Sequence, residues 1–222
     1  MPQPGSPVNK ATLKEQRAAQ RAKKLEAFHR QQKRSKRNRR IGITSAIVGG
    51  VAVIGLVVTM VVLTPQAPNY AGGDGAAIDG VLTYENGNGH VETAVTYPET
   101  PPTGGEHNPA WLNCGVYDQP VPSENAVHSL EHGAVWITYD PSISATELDA
   151  LKALLPSDYT VLSPFEGLPS PIVLSAWNVQ LQVENAADPR IAPFFEQYWK
   201  SGTAPELGAS CSGAIDAPGK VS

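Results

Sequence analysis

Histidines with metal-binding spacing are concentrated in the middle of the chain. Of the five histidines, three lie between positions 107 and 132: His107 in the stretch GGEHNPAW, and His128 and His132 in an H-x-x-E-H motif whose carboxylate is Glu131. On a helix, positions i, i+3 and i+4 share one face, so two imidazoles can bind a metal ion while the carboxylate orients or polarises a water molecule. Imidazole ligands favour zinc or copper(II). The spacing predicts a zinc or copper site at His107, His128 and His132, with Glu131 as a further candidate ligand.

Two other functions are compatible with the same residues. The histidines can be structural and hydrogen-bond to backbone groups in a proline-rich core. The chain can also be a metallohydrolase with Glu131 as its catalytic residue, because H-x-x-E-H is the inverzincin motif of some zinc peptidases, in which the Glu is the general base. However, a strand-like sequence follows Gly133, which limits the helix to about two turns, and only scattered Asp and Glu follow as a third ligand. The interpretation therefore leans against an enzyme.

Other residues restrict the kind of site. His90 is a candidate fourth ligand, although its position after a predicted hairpin turn favours an exposed loop. Met1 and Met60 are the only methionines, which excludes a methionine-rich Cu(I) site. The motifs GxSxG, Walker A and GxGxxG do not occur in the sequence, so serine hydrolase and nucleotide chemistry lack their usual motifs.

Charge is distributed unevenly along the chain. The 222 residues contain 17 Lys and Arg against 21 Asp and Glu, a net charge of −4. Residues 1–40 contain 13 of these basic and 2 of these acidic residues, so the remainder contains 4 and 19. Residues 41–63 are apolar and, at about 1.5 Å per residue, form about 34 Å of helix, enough to span a hydrocarbon core of roughly 30 Å. We predict a basic cytoplasmic segment (1–40), a transmembrane helix (41–64), a linker (65–75) and an extracytoplasmic α+β domain (76–222).

The basic residues beside the apolar segment predict its orientation. The run KRSKRNRR at residues 33–40 should stay in the cytoplasm, which predicts a single-pass plasma-membrane protein with an uncleaved signal anchor, its N-terminus inside and its C-terminal domain outside. The lipid bilayer is the expected partner, and anionic lipid can bind the basic segment. Gly42, Ala46 and Gly50 recur every four residues, so a membrane protein can pack on residues 41–64 or on the outer domain. Nucleic acid is not an expected partner, because topology already explains the basic flank.

The two cysteines predict a disulfide. Cys114 and Cys211 are the only cysteines, and both lie on the predicted outer side of the membrane, where disulfides persist. Closing a loop of about 97 residues stabilises a fold by up to roughly 4.7 kcal/mol on the chain-entropy estimate. A metal thiolate or a nucleophile is the alternative role.

Periodicity in the outer part predicts an α+β domain, with a small mixed or antiparallel sheet, two or three helices and long proline-rich loops, preceded by one transmembrane helix. The sequence ENGNG at residues 85–89 predicts a hairpin turn. Apolar and polar residues alternate at the end of the predicted strand over residues 172–183, so one face of that strand is expected to contact water. The predicted strands are residues 81–84, 90–97, 134–139, 160–162 and 172–183. A capping box at Ser144 and Glu147 predicts a helix over residues 145–155, and Asp188-Pro189 predicts another over residues 190–200.

Several motifs in this part resemble one family. They are TPP at residues 100–102, His107, CGVY at residues 114–117 and VHSLEHG at residues 127–133. The stretch from about Gly80 to Gln197 resembles an uncharacterised family of bacterial, mostly actinobacterial, membrane-anchored proteins that is catalogued as a domain of unknown function. Gly104, Glu106 and Asn108 stand where Ser, Pro and Tyr are common in that family, while His107 is kept. The resemblance implies the topology and the compartment, and it implies no activity.

The residues and the resemblance together predict a membrane-anchored extracytoplasmic domain that binds zinc or copper through a histidine cluster. One alternative is an accessory or interaction subunit of a respiratory or envelope membrane complex, in which the histidines are structural. The other alternative is an H-x-x-E-H metallohydrolase.

Overall fold

The computed structural model describes residues 10–64, 66–70 and 75–221, with side chains from residue 14 onward, and its fold is α+β. Four helices and a six-stranded mixed sheet occur in this part of the chain, which confirms the predicted fold class. The helices are α1 (Lys10–Leu63), α2 (Ser123–Glu131), α3 (Ala145–Ala153) and α4 (Ile191–Tyr198). The strands are β1 (Val81–Thr83), β2 (Gly115–Val116), β3 (Val135–Tyr139), β4 (Thr160–Pro164), β5 (Ile172–Ala176) and β6 (Val179–Val183).

The chain divides into two compact units between residues 65 and 66, and α1 forms the first. This helix of 54 residues contains the basic and the apolar segment without interruption. Its apolar part is long enough, and poor enough in charge, to cross a membrane, which fits a single-pass anchor.

The sheet of the second unit has the strand order β1-β6-β5-β3-β4-β2. β3 lies in the middle, parallel to β4 and antiparallel to β5. The parallel pair is connected through α3, and the antiparallel β5–β6 pair is a hairpin. β1 and β2 form the two edges, where they pair with β6 and β4.

Both faces of this sheet are covered. Along β3, Ile137 and Tyr139 contribute to one hydrophobic core and Trp136 to another, as expected from the two-residue period of a strand. Phe194 of α4 belongs to the first core, together with residues of α3. Leu130 of α2 belongs to the second core, together with residues of the loop before it. The helix that carries the H-x-x-E-H motif is therefore packed directly on the sheet.

The predicted hairpin around residues 85–89 is wrong. β1 pairs with β6, and residues 90–97, all of which are described, contain only an isolated bridge from His90. The Asn86 amide donates to Asn178 Oδ1 (3.0 Å), and the Asn86 side chain donates to Thr103 Oγ1 (3.2 Å). The asparagine of the expected turn instead holds the proline-rich segment against the β5–β6 turn.

The single strand predicted over residues 172–183 is two strands. The β5–β6 turn lies at Trp177 and Asn178, and Asn178 adopts a φ of 62°, which asparagine tolerates better than most residues. The predicted water-facing side of this segment is also wrong, because Gln180 is 1% exposed. Its Nε2 donates to the Pro101 carbonyl (3.0 Å), so the proline-rich segment covers a face that alternation alone assigns to solvent.

The helices begin close to their predicted positions. The Ser144 hydroxyl accepts the amide of Glu147 (3.1 Å), as expected at the start of α3, and the helix ends two residues earlier than predicted. Before α4, Asp188 Oδ1 accepts the amide of Arg190 (2.9 Å). Within the described residues, α2 has no side-chain cap bond.

The predicted linker is only partly described, since residues 65 and 71–74 lie outside the described part. Tyr70 stacks on Phe195 with ring centroids 4.7 Å apart, and its hydroxyl donates to the Leu154 carbonyl (2.9 Å). Tyr70 is therefore part of the packed second unit.

Candidate metal centre

Helix α2 presents the H-x-x-E-H motif next to the sheet. It ends at Glu131, and His132 is its C-cap residue with right-handed helical backbone angles. His128 and His132 are thus one turn apart on the same side. Gly133 then directs the chain toward β3 with a φ of 101°, a conformation that side chains with a Cβ rarely adopt.

The loop before α2 is fastened to the helix by hydrogen bonds. The Leu112 amide donates to the Asn125 carbonyl (2.9 Å), and the Ser129 hydroxyl donates to the Leu112 carbonyl (2.6 Å). These bonds hold the loop beside the motif. As a result, His107 lies next to Glu131 although 24 positions separate them in the sequence.

Glu131 and three histidines form a set of four candidate metal ligands, here named the Glu131 group: His90, His107, His128 and Glu131. Its Oε2 is 2.9 Å from His107 Nε2 and 3.5 Å from His90 Nε2. The four ligand atoms all lie within 4.8 Å of one another. A tetrahedral zinc site with bonds of about 2.1 Å has ligand atoms about 3.4 Å apart, so the two contacts of Glu131 are near this spacing and the group would contract to bind an ion through all four atoms.

His90 joins the group through backbone pairing with His107. The Val91 amide donates to the His107 carbonyl (2.8 Å), and the His107 amide donates to the Gly89 carbonyl (2.9 Å). The two imidazole rings are 4.7 Å apart, edge to face. The His90 side chain is 40% exposed, as expected of its loop position, and yet its ring lies in the cluster.

A second set of candidate ligands, here named the Glu206 group, consists of His128, His132 and Glu206. His132 Nε2 is 3.4 Å from Glu206 Oε2, and the His128 and His132 rings are 4.6 Å apart. The Glu206 amide donates to the Glu131 carbonyl (3.0 Å), so the C-terminal tail pairs with the motif itself. The Glu206 side chain is 49% exposed, whereas that of Glu131 is 1% exposed.

A disulfide between Cys114 and Cys211 ties this tail to the rest of the domain. The two Cα atoms are 5.4 Å apart, and the Cys114 amide donates to the Cys211 carbonyl (2.7 Å). Ser210, the preceding residue, supplies the carbonyl oxygen to which His132 Nδ1 donates (2.6 Å). The predicted cysteine pair therefore lies directly beside one of the histidines.

Three imidazoles of the cluster are fixed through Nδ1. These atoms contact backbone carbonyl oxygens, in the pairs His107–Gly105 (2.8 Å), His128–Asn108 (2.7 Å) and His132–Ser210 (2.6 Å). A carbonyl oxygen only accepts hydrogen bonds, so each Nδ1 must carry a proton. A neutral ring then has its lone pair on Nε2, the atom that faces Glu131 in His107 and Glu206 in His132. Carbonyl partners of this kind orient metal-binding histidines in many proteins.

The surroundings of His128 disfavour its charged form, and the contact between His107 and Glu131 needs a hydrogen or a metal ion between the two atoms. Burial lowers the pKa of His128; the bond to the Asn108 carbonyl opposes this, and the positive charge that His132 and the other neighbouring histidines can carry lowers the pKa further. With Nδ1 protonated, a neutral His107 and an ionised Glu131 present two acceptors to each other at 2.9 Å. Both side chains are buried, so a proton or a metal ion is needed to stabilise the contact.

Two tryptophans form walls of the cluster. The Trp111 ring lies 5.1 Å from His132 and 5.9 Å from His128, and the Trp177 ring lies 5.8 Å from His107. The buried Trp111 Nε1 has no hydrogen-bond partner among the described residues. Both indoles are close enough to report an ion in the cluster by a change in fluorescence.

The structure divides the predicted ligands between two groups. His107, His128 and Glu131 lie in one group, His132 lies in the other, and His128 belongs to both. Glu206 was not predicted, because a lone carboxylate in a tail without periodicity carries no sequence signal. The disulfide is the one sequence feature that brings this tail back toward the motif.

The fold and the site together define an α+β domain that carries two overlapping groups of histidine and carboxylate ligands. The chain belongs to the family described as Protein of unknown function (DUF3105), which matches residues 90–213, more than half of its length. The match begins at His90 and includes every residue of both ligand groups and both cysteines. No curated protein and no solved structure matches the chain. Because the family description contains no activity, function has to be argued from the site.

Proposed function

We propose that this protein is a membrane-anchored metal-binding protein whose outer domain binds a zinc or copper(II) ion through the histidine cluster. One observation carries the proposal: His107 Nε2 faces Glu131 Oε2 at 2.9 Å while His107 Nδ1 is occupied by the Gly105 carbonyl. Unless a proton on Nε2 makes His107 an imidazolium that donates to Glu131, the imidazole lone pair and the carboxylate repel each other in this arrangement. A divalent cation bound to both replaces that repulsion with two favourable bonds.

The donor atoms favour zinc or copper(II) over other ions. Nitrogen and carboxylate oxygen ligands suit both metals, whereas calcium and magnesium prefer all-oxygen sites. The only methionines are Met1 and Met60, and neither is in the cluster, so the soft sulfur ligands of a Cu(I) site are missing. The hydrogen bonds from three Nδ1 atoms to backbone carbonyls orient the rings and make each Nε2 a stronger metal ligand.

The proposed location is the outer face of the plasma membrane. The apolar part of α1 can serve as a single-pass anchor, and the basic run at residues 33–40 favours a cytoplasmic N-terminus. The disulfide between Cys114 and Cys211 favours an oxidising compartment for the domain. In that compartment the protein would bind metal ions outside the cytoplasm.

The metal content of the purified full-length chain tests this function. After equilibration of the protein in detergent micelles with Zn²⁺ or Cu²⁺ and removal of free metal, we expect about one ion per chain and a higher melting temperature. His128→Ala removes the ligand that both groups use, so the affinity should fall at least 100-fold, beyond the loss typical of an outer-shell mutation. His29→Ala changes an exposed histidine of α1 and is the matched control. The proposal would be contradicted by a wild-type protein that retains no metal and whose melting temperature is unchanged by Zn²⁺ and by Cu²⁺.

An accessory subunit with structural histidines is a second candidate. The Nδ1–carbonyl bonds join α2 to two other segments of the chain, and they can do so without a metal. In that case, chelators would leave the melting temperature unchanged, and purification in mild detergent would return a partner protein. A hydrolase is less well supported, because a general base must reach substrate or water, whereas Glu131 is 1% exposed and contacts two histidines.

A further inference from the structure

His128 is common to both ligand groups, and it can serve only one of them at a time. Its Nδ1 contacts the Asn108 carbonyl (2.7 Å), which leaves Nε2 as the nitrogen that it can offer to a metal. One nitrogen lone pair binds one ion. An ion in the Glu131 group and an ion in the Glu206 group therefore cannot both be bound by His128.

The charges of the cluster also match a single ion. Glu131 and Glu206 contribute two negative charges when ionised, and neutral imidazoles contribute none. One divalent cation balances the two carboxylates, whereas two such ions leave an excess of two positive charges. His107, His128 and His132 are at most 4% exposed, and uncompensated charge in so buried a place is strongly unfavourable.

The two positions differ in ligand number and in access to solvent. The Glu131 group offers four ligands, of which His90 is 40% exposed and the carboxylate is 1% exposed. The Glu206 group offers three ligands, including a carboxylate that is 49% exposed. The first position should therefore bind an ion more tightly, and the second should exchange it with solvent more readily.

Resting on the metal-binding function proposed above, we propose that the cluster binds one divalent transition-metal ion at two alternative positions, with His128 as the shared ligand. An ion from solvent first binds His132, His128 and Glu206. It then moves to the Glu131 group, exchanging His132 and Glu206 for His90, His107 and Glu131 while His128 stays bound. The reverse sequence releases the ion, and no oxidation or reduction is involved.

Equilibrium binding to the full-length chain in detergent micelles tests the two positions. The wild type should bind one Zn²⁺ per chain. His90→Ala/His107→Ala leaves the Glu131 group only two ligands, fewer than the Glu206 group has, so one Zn²⁺ should remain bound at the Glu206 position with affinity reduced by at least about 100-fold. Electron paramagnetic resonance of bound Cu²⁺ should show coupling to three nitrogens in the wild type and to two in His90→Ala/His107→Ala. Adding Glu206→Gln to this double variant should remove the remaining ion.

Loading kinetics test the role of Glu206 in a protein whose tight position is intact. Quenching of tryptophan fluorescence by Cu²⁺ can follow loading, because Trp111 and Trp177 adjoin the cluster. Glu206→Gln should keep one tightly bound ion and load about tenfold more slowly, since it loses a carboxylate that attracts and first binds the cation. Glu184→Gln, at an exposed carboxylate just after β6, is the matched control and should load like the wild type.

The outcomes separate this inference from the metal-binding function itself. Two Zn²⁺ ions per wild-type chain, a His90→Ala/His107→Ala variant that binds none, or a Glu206→Gln variant that loads at the wild-type rate would each overturn the two-position proposal while metal binding stands. A wild type that binds no metal would overturn both. Circular dichroism of each variant shows whether the domain is folded, and Gln replaces Ala at both histidines if the smaller side chains prevent folding.

Discussion

At the scale of single residues, the backbone determines what each imidazole can do. The carbonyl oxygens of Gly105, Asn108 and Ser210 each engage one Nδ1, and this leaves Nε2 as the ligand atom. The H-x-x-E-H spacing could be read from the sequence, because it depends only on helical geometry. The carbonyl partners could not, since they come from loops whose conformation has no periodicity. The same holds for Glu206, which reaches the cluster only through the folded tail.

Tyr117 leads to a prediction on alkaline pH. Its side chain is fully buried, and its hydroxyl donates to the Asn113 carbonyl (2.5 Å). Burial, together with the charge of Asp216, raises the pKa of Tyr117 to about 12. The folded state thus holds the phenol proton more tightly than the unfolded state does, so this contribution is complete below about pH 10 and is lost between about pH 10 and pH 12. Two pKa units correspond to about 2.7 kcal/mol.

Urea unfolding of the second unit within the full-length chain, at pH 9, 10 and 11, measures this loss. The free energy of unfolding should fall as the pH rises, and the ultraviolet absorbance of ionised tyrosine should appear together with unfolding. In Tyr117→Phe the alkaline slope should be shallower, although the variant is less stable at pH 9 because the Asn113 carbonyl loses its donor. An identical slope in both proteins would show that Tyr117 is not the responsible group.

At the scale of helices and strands, sequence patterns predicted correctly those features that depend on interactions between residues close together in the chain. The Ser144 cap of α3 and the start of α4 after Asp188-Pro189 depend on neighbouring positions, and both were predicted. The β5–β6 turn was missed because it contains neither glycine nor proline, and Asn178 alone supplies the positive φ. Gln180 was assigned to solvent because the covering segment at Pro101 is 79 positions away. Burial by a segment that is distant in the sequence does not change the alternation of apolar and polar residues in the buried strand.

The orientation of α1 can be tested through its charges. With the N-terminus in the cytoplasm, protease added to cells whose wall has been removed should cleave an epitope tag at the C-terminus and leave a tag at the N-terminus intact. Replacing the Lys and Arg of residues 33–40 with Gln removes most of the bias that favours this orientation, so a fraction of chains should then expose the N-terminal tag. Replacing Lys14 and Arg17, which lie farther from the apolar segment, is the control. Protection of the C-terminal tag in the unmodified chain would show the opposite topology.

At the scale of the whole molecule, the disulfide connects the folded core to the tail that completes the Glu206 group. Cys114 precedes β2, and Cys211 follows Ser210, whose carbonyl holds His132. The four ligands of the Glu131 group all precede residue 132 and depend on the loop and α2. The two positions for an ion therefore differ in their dependence on the covalent link, although they share His128.

Replacing both cysteines with serine should separate these two dependences. The variant should lose about 2–5 kcal/mol of stability, as is typical when a small exported domain loses its disulfide, and its melting temperature should fall accordingly. If the domain stays folded, the Glu131 group should still bind one Zn²⁺, because none of its ligands lies in the tail. Combined with His90→Ala/His107→Ala, which leaves the Glu131 group only two ligands, the same replacement should abolish Zn²⁺ binding, since Glu206 and the Ser210 carbonyl are no longer held beside His132. Equal Zn²⁺ affinity with and without the cysteines in the His90→Ala/His107→Ala background would show that the tail is positioned by its hydrogen bonds alone.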